Sequence, residues 1–227
     1  MKYRCVECGH GIKTLFVQYS PGNIRLMKCD NCKAVADEYI ECEIMIIVID
    51  LILHKPKAYR HLLYNVLDPQ NPQFQGLLWI CSFGFLLLDA YRSLIICRSK
   101  AEWGLSTSID SFIWICQKIF MDVFLGNFML FSTILLATKT LLSTSLRYKD
   151  ILLAVLISSY FKMCLFPMMV WEFPSSVVFI IDLYVLSSNT VALKVITELA
   201  MSRCVLTCFS AHLMKILVTQ ALELRPF

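Results

Sequence analysis

Four cysteines near the N-terminus have the residue type and the spacing to bind a metal ion. They form two Cys-x2-Cys pairs, Cys5 with Cys8 and Cys29 with Cys32, and 20 residues separate the pairs. Zinc prefers four soft ligands in a tetrahedron, and each Cys-x2-Cys turn presents two sulfurs from one tight knuckle. The spacing therefore predicts a closed structural zinc site with no open coordination position.

Other chemistries of paired cysteines fit this sequence less well. A thioredoxin-like redox pair needs a helix N-terminus and a βαβ context, and neither pattern surrounds these pairs. A RING-type module needs a second set of four ligands, which His10 and Cys42 are not enough to supply. We therefore interpret the four cysteines as one zinc site.

The residues between the pairs predict a β-hairpin that holds the two knuckles together. Residues 14–19 and 24–28 are typical of short strands, and residues 20–23, Ser-Pro-Gly-Asn, form a turn sequence. Gly9 and Gly11 suit a sharp backbone turn after the first pair. Residues 1–65 are thus predicted to form a small zinc-ribbon domain.

The composition of the chain as a whole is that of an integral membrane protein. Hydrophobic residues make up 58% of the sequence and charged residues 17%, against about 25% charged in soluble domains. The mean hydropathy is +0.65. Nine basic and eight acidic residues precede Gly76, so the zinc-ribbon domain has nearly balanced charge. This balance argues against nucleic-acid binding, which soluble zinc ribbons often perform.

The chain after a proline-containing linker, residues 66–76, contains segments long enough to cross a bilayer. A span needs about 20 apolar residues in a helix. The predicted spans are residues 77–97, 112–138, 151–171 and 175–197, with 199–219 as a fifth, weaker candidate, and Pro167 predicts a kink in the third. The predicted fold is therefore a zinc-ribbon domain followed by an all-α polytopic membrane domain, residues 77–227, with four or five spans.

Several of the predicted spans carry ionisable residues, which are costly at bilayer depth and usually face a partner or a wet cavity. They are Asp89, Arg92, Lys118, Asp122, Lys162 and Asp182. The spacing allows Asp89 to pair with Arg92 and Lys118 with Asp122, each on one helix face. Two alternatives stay open: these residues line a common cavity for a lipid headgroup, or the spans are shorter and the charges lie at the membrane interfaces.

Residues 44–53 are an apolar run that contains one acid, Asp50. As a helix they would measure about 15 Å, half of a hydrocarbon core of about 30 Å. The run therefore does not cross the membrane. It is predicted either as a strand packed on the ribbon or as a segment that lies in the membrane interface.

A short helix is predicted from Pro56, because proline is favoured in the first helical turn. Its apolar residues recur at helical spacing, which leaves a partly basic face for solvent or for an anionic leaflet. The residues of the candidate membrane or partner surface are Tyr59, Arg60, His61 and Tyr64. The alternative is an ordinary solvated face.

Together with the cysteine pairs, three short stretches resemble the homology domain of the Arv family. They are residues 34–42 (AVADEYIEC), 50–55 (DLILHK) and 58–65 (AYRHLLYN). The family comprises endoplasmic-reticulum membrane proteins with a zinc-binding head, implicated in sterol trafficking, sphingolipid balance and the delivery of glycosylphosphatidylinositol intermediates. The resemblance implies a structural zinc at the four cysteines, membrane lipids as partners and no catalytic residues.

The function expected from this resemblance is non-enzymatic mediation of sterol homeostasis and lipid trafficking. One alternative is an adaptor that recruits a lipid-synthesis or glycosylphosphatidylinositol-anchor enzyme. A membrane-embedded lipid transferase is a further alternative, although the membrane domain has a single histidine, His212, and no serine elbow. Because the N-terminus lacks a signal-peptide pattern and the zinc thiolates need reducing surroundings, the zinc-ribbon domain is predicted to be cytosolic. The resemblance places the chain in the endoplasmic reticulum.

Overall fold

The computed structural model describes residues 3–67, 73–100, 109–141, 148–171, 173–174 and 176–223. The chain divides into two compact units, an N-terminal unit, Met1–Leu77, and a C-terminal unit, Leu78–Phe227. Most of the predicted linker, residues 68–72, lies outside the described residues.

The N-terminal unit begins with two small antiparallel hairpins. Strand β1 (Tyr3–Arg4) pairs with β2 (Gly11–Ile12), and β3 (Phe16–Ser20) pairs with β4 (Asn23–Leu26). The turn between β3 and β4 is Pro21-Gly22, and Gly22 has φ +83°, a conformation that glycine adopts at low cost. The predicted hairpin is confirmed, with shorter strands than the sequence indicated.

The two cysteine knuckles share one backbone hydrogen bond and one backbone conformation. In the first, the N–H of Gly9 donates to the carbonyl of Cys5, and in the second the N–H of Lys33 donates to the carbonyl of Cys29, both at 2.9 Å. The residue after each pair is left-handed, with φ 76° at Gly9 and 62° at Lys33. Glycine fits this conformation, whereas a lysine in it is strained.

Lys33→Gly is therefore expected to stabilise the N-terminal unit by up to about 1 kcal/mol, because it removes the left-handed strain at some cost in chain entropy. The measurement is denaturant-dependent hydrogen exchange of the second knuckle. Lys28→Gly is the matched control, because Lys28 lies in an isolated antiparallel bridge with Val35 and has no positive φ. Equal effects of the two variants would contradict the strain at Lys33.

Residues 44–53, for which a packed strand was one prediction, form a helix instead. A 3-10 turn, Glu38–Ile40, leads into α1 (Ile44–Ile52), which is followed by α2 (Pro56–Arg60) and a π-helical turn, His61–Val66. Among the described residues both sheets have two strands each, and α1 does not extend either of them. A helix satisfies its own backbone groups, so it does not need a sheet edge.

The C-terminal unit has four described helices that are long and apolar enough to cross a membrane. They are α3 (Gln73–Lys100), α4 (Ile109–Leu141), α7 (Ser176–Thr197) and α8 (Met201–Glu223). Four of the predicted spans are thus continuous helices, including the one that the sequence ranked as weakest. The chain is a multi-pass membrane protein by this criterion.

The third predicted span is not a continuous helix. It consists of α5 (Tyr148–Ser158), a 3-10 segment, Ser159–Leu165, and a single turn, α6 (Pro167–Val170). The kink expected at Pro167 is therefore part of a longer interruption that begins at Ser159. At membrane depth, irregular backbone is tolerated only where protein buries it or where it lines a wet cavity.

The membrane helices bury an apolar core around this broken segment. Helix α4 packs along α8, and α7 packs against α5, the 3-10 segment and α8. One buried cluster is centred on Leu130, Ile134 and Val155, and a second on Leu165 and Val185. The C-terminal unit also buries polar residues, among them Asp89, Asn127 and Lys162.

Candidate functional sites

The four cysteines of the N-terminal unit converge on one point. Their sulfurs all lie within 4.8 Å of one another, with Cys5 Sγ 3.7 Å from Cys32 Sγ and Cys8 Sγ 3.6 Å from Cys29 Sγ. Zinc–sulfur bonds of about 2.3 Å in a tetrahedron separate the sulfurs by about 3.8 Å. The donor set and its geometry therefore fit a structural zinc ion, although other thiophilic ions use the same ligands.

The thiols of this cluster differ in acidity. Burial raises the pKa of Cys5 to about 12. Burial also opposes ionisation of Cys8, but hydrogen bonds from the backbone of His10 and the side chain of Asn31 lower its pKa to about 6. Binding of a metal as four thiolates therefore releases protons, Cys5 among their sources.

Helix α2 supports the first knuckle through Arg60. Val6 and Glu7 are the two residues between Cys5 and Cys8. The guanidinium Nη1 of Arg60 donates to the carbonyl oxygen of each, at 2.8 Å. Lys57 forms an ion pair with Glu7 on the same turn. The sequence predicted Arg60 on a membrane or partner surface, but this side chain binds the backbone of the first cysteine knuckle.

A buried carboxylate organises the residues behind the cysteine cluster. Asp37 is fully buried and accepts hydrogen bonds from the N–H of Tyr39 at 3.0 Å, from His61 Nδ1 at 2.7 Å and from Asn65 Nδ2 at 2.6 Å. Asn65 also bonds both backbone groups of Arg4 at 3.0 Å. The network joins β1, the 3-10 turn and the π-helical turn.

Two of the four residues predicted on the candidate membrane or partner surface, Tyr59 and His61, are therefore buried in the structure. Tyr59 is 1% and His61 6% exposed, and the ring of Tyr64 lies 4.4 Å from the guanidinium of Arg4. His61 and Tyr64 lie in the π-helical turn, whose wider turn displaces side chains from the positions that a period of 3.6 residues predicts. Asp37 and Asn65 lie within the stretches that resemble the Arv family, yet nothing in their spacing revealed this network.

In the C-terminal unit, Asp89 is the centre of a buried polar cluster. Its carboxylate is 2% exposed and accepts from Lys162 Nζ at 2.8 Å, Lys215 Nζ at 2.5 Å and Asn127 Nδ2 at 2.7 Å. The four residues come from α3, the 3-10 segment, α8 and α4. Two cations share one carboxylate, so this group alone has a net charge of +1.

Two further acids and Arg92 complete what we call the charged cluster: Asp89, Arg92, Asp122, Lys162, Asp182 and Lys215. Arg92 binds Asp182 with two guanidinium nitrogens, Nε at 2.9 Å and Nη2 at 2.5 Å. Asp122 accepts from the hydroxyl groups of Ser93 at 2.6 Å and Thr219 at 2.5 Å. The bidentate pairing of Arg92 with Asp182 is of a kind that is strong and geometrically specific.

A cavity of about 170 Å³ opens beside the charged cluster. Its charged lining residues are Arg92, Lys162, Asp182 and Lys215, three cations against one anion, and Ser159, Asn189 and His212 add further polar atoms. The remaining wall is apolar and includes Phe85 and Leu130. The broken third segment contributes Ser159 and Lys162, so its irregular backbone lies where the cavity is polar.

The structure pairs the predicted charges differently from the sequence analysis. The expected partner of Asp89 on its own helix, Arg92, binds Asp182 instead. Lys118 lies over the ring of Trp114, with Nζ 5.3 Å from the centroid, and Asp122 accepts from Ser93 and Thr219. Pairs between helices prevail because they satisfy each charge inside the bundle, where an isolated charge is most costly.

Sequence reasoning missed Lys215, Asn127 and Asn189 as members of this site. Lys215 lies in the segment that was ranked as the weakest span, and the rule for ionisable residues in spans would have identified it. Asn189 donates towards His212 Nε2 at 3.2 Å and accepts from Ser158 at 2.5 Å. Asn127 and Asn189 carry no charge, so the rule for ionisable residues in spans does not identify them.

The amino-acid sequence is similar to a family of known proteins over most of its length. The model of the Arv1-like family matches residues 4–193. Protein ARV 1 of Arabidopsis thaliana is 52% identical over 98% of this chain and 89% of its own length, and Protein ARV 2 of the same plant is 54% identical over 96% and 94%. Protein ARV1 of Homo sapiens is 32% identical over 86% and 72%.

The match extends much further along the chain than the motifs that first suggested it. Those motifs lie within residues 1–65, whereas the family match continues through α3, α4 and the broken segment into α7. No solved structure matches this chain.

Proposed function

The chain belongs to the Arv1-like family, and from that membership we propose that it mediates sterol homeostasis and intracellular lipid trafficking in the endoplasmic-reticulum membrane, with effects on sphingolipid metabolism. The observation that carries the proposal is the cavity beside the charged cluster, inside a bundle of apolar helices. Charged residues at such depth are costly, and they usually mark a pathway or site for a polar group.

The cavity suits the polar headgroup of a membrane lipid. Lys162, Lys215 and Arg92 offer N–H donors to a hydroxyl, phosphate or carboxylate oxygen, and the adjoining apolar wall suits a hydrocarbon or sterol body. Sterols, sphingolipids and glycosylphosphatidylinositol intermediates all combine a polar head with a large apolar part. Binding and escort of such a lipid needs no bond to be made or broken.

Cys5, Cys8, Cys29 and Cys32 are proposed to hold one structural zinc ion. Four sulfur ligands leave no open position, so the metal stabilises the fold and does not activate water. We propose that the N-terminal unit lies in the cytosol, because a reducing compartment keeps the four thiols available for the metal.

The expected effect of Arg60→Lys is faster loss of zinc, by roughly tenfold, since groups that brace metal ligands commonly change affinity by about 10–100-fold. Lysine keeps the charge but lacks the planar guanidinium group, whose Nη1 donates to the carbonyl oxygens of Val6 and Glu7. Zinc release from the full chain to a colorimetric chelator measures the effect. Arg25→Lys, on the exposed hairpin strand β4, is the matched control.

We assign no catalytic step to His212. Its Nε2 faces the amide nitrogen of Asn189, and a general base needs that lone pair free for substrate. A non-enzymatic role is therefore our proposal, and recruitment of a lipid-synthesis enzyme is the alternative that the following experiment separates from direct lipid binding.

The experiment is native mass spectrometry of the detergent-purified full chain, combined with metal analysis. We expect one zinc and a retained lipid per chain. Lys215→Met should lower lipid retention about tenfold, because a charged hydrogen bond in a desolvated site is worth about 1.5–3 kcal/mol. Asp89 keeps Lys162 and Asn127 as partners in this variant, so the fold persists.

Lys118→Met is the matched control, because Lys118 lies over Trp114 and outside the cavity lining. Equal lipid retention in both variants would contradict a headgroup site at the charged cluster. Zinc without any retained lipid would favour the adaptor function.

A further inference from the structure

Helix α1 of the N-terminal unit is apolar, yet most of its side chains face outward. Only Leu51 is buried. The exposed residues are Ile44, Met45, Ile46, Val48, Ile49 and Ile52, with Ile44 77% and Met45 65% exposed. Soluble domains seldom display so much apolar surface on one element unless it binds a protein or a membrane.

The one ionisable residue of α1 is already neutralised. Asp50 accepts a hydrogen bond from the hydroxyl of Tyr39 at 2.7 Å and forms an ion pair with Lys55 at 2.7 Å. The helix therefore presents no uncompensated charge that an apolar environment would exclude.

The helix is also fixed firmly to the rest of the N-terminal unit. Leu51 is 7% exposed, and its carbonyl accepts from the hydroxyl of the buried Tyr59 at 3.3 Å. Together with the Asp50–Tyr39 bond, this contact orients α1 so that its apolar face points away from the core. A preorganised face loses little conformational entropy when it is covered.

Chain connectivity brings this face within reach of a bilayer. Leu67 is the last described residue before residues 68–72, and α3, the first candidate membrane helix, begins at Gln73. Six residues extend to at most about 22 Å. The membrane that holds α3 is thus a large apolar surface to which the N-terminal unit is always tethered through this short stretch of chain.

We propose that α1 inserts as a monotopic helix into the interface of the bilayer that its own spans cross. Nine residues give a helix of about 14 Å, too short to cross but sufficient to lie in the interfacial plane. The exposed acids Glu41 and Glu43 precede the helix. Binding is therefore driven by apolar burial and does not need anionic lipid, in contrast to a basic amphipathic helix.

The test uses the full chain in phosphatidylcholine nanodiscs, with benzoylphenylalanine at Met45 and, as a control, at the exposed Lys13. After irradiation, mass spectrometry identifies the adducts. The expected product at Met45 is a phospholipid adduct, at a yield roughly tenfold above that at Lys13, because apolar side chains partition into lipid. Addition of phosphatidylserine or salt leaves the yield unchanged.

Two other products would overturn the proposal: a cross-link to a peptide from residues 78–223 of the same chain, or a cross-link to a second copy. Ile49→Glu provides the matched variant, because Ile49 is 50% exposed and its replacement leaves the core intact. This variant should lose most of the phospholipid adduct and keep its zinc. An unchanged adduct yield with retained zinc would also overturn insertion.

Discussion

Replacing Cys29 by serine should leave the full chain without bound zinc and with an unfolded N-terminal unit. Cys29 is 1% exposed, and its sulfur lies 3.6 Å from that of Cys8. Zinc contributes roughly 10–16 kcal/mol to the folding of small zinc domains, which have little apolar core of their own. Metal analysis should show no zinc, and hydrogen-exchange mass spectrometry should show loss of protection across residues 3–40.

Cys42→Ser is the matched control for this experiment. Cys42 donates to the carbonyl of Glu38 and lies outside the four-cysteine cluster. This variant should retain one zinc per chain and normal protection. A Cys29→Ser chain that kept its protection without zinc would show that the fold does not depend on the metal.

Replacing Asp89 by leucine is expected to destabilise the C-terminal unit by about 3–5 kcal/mol, the usual cost of leaving a buried charge without its partner. Lys162 and Lys215 would both lose their carboxylate, and Lys162 is 4% exposed. In detergent, the apparent Tm should fall by about 10 °C. Fluorescence-detected thermal unfolding measures this shift, and retained zinc would show that the N-terminal unit is intact.

Two comparison variants make the Asp89 result specific. Lys118→Leu removes a membrane-segment charge that lies over Trp114 and outside the charged cluster, so it should change Tm little. Combining Asp89→Leu with Lys162→Met and Lys215→Met removes the unpaired cations and should recover much of the stability, since apolar residues often replace buried ion pairs without loss. A triple variant no more stable than Asp89→Leu would contradict this account.

Local patterns in the sequence predicted the elements whose causes are local. The Cys-x2-Cys spacing predicted the sulfur cluster, and the Pro-Gly turn predicted the β3–β4 hairpin. Hydropathy over windows of membrane length predicted the four continuous helices. In each case the residues that set the structure lie within one short stretch or one helix.

Predictions that depended on the environment of a residue were less successful. The apolar run 44–53 suited a strand by propensity, but it is the exposed helix α1. Tyr59 and His61 were expected on a surface, but they are buried beside Asp37. Burial depends on which elements pack together, and the period of a single segment does not contain that information.

By itself, the sequence determined a four-cysteine cluster with the spacing of a metal site, a membrane domain and the family to which the chain belongs. Tertiary structure alone decided that Asp89 binds Lys162 and Lys215, which are 73 and 126 positions away, and that Arg92 binds Asp182. A charge in a low-dielectric bundle pairs with whatever opposite charge the packing of helices brings near it. Spacing along one helix could not reveal those partners, because the break at Ser159 and the packing of α8 against α4 determine where the lysines lie.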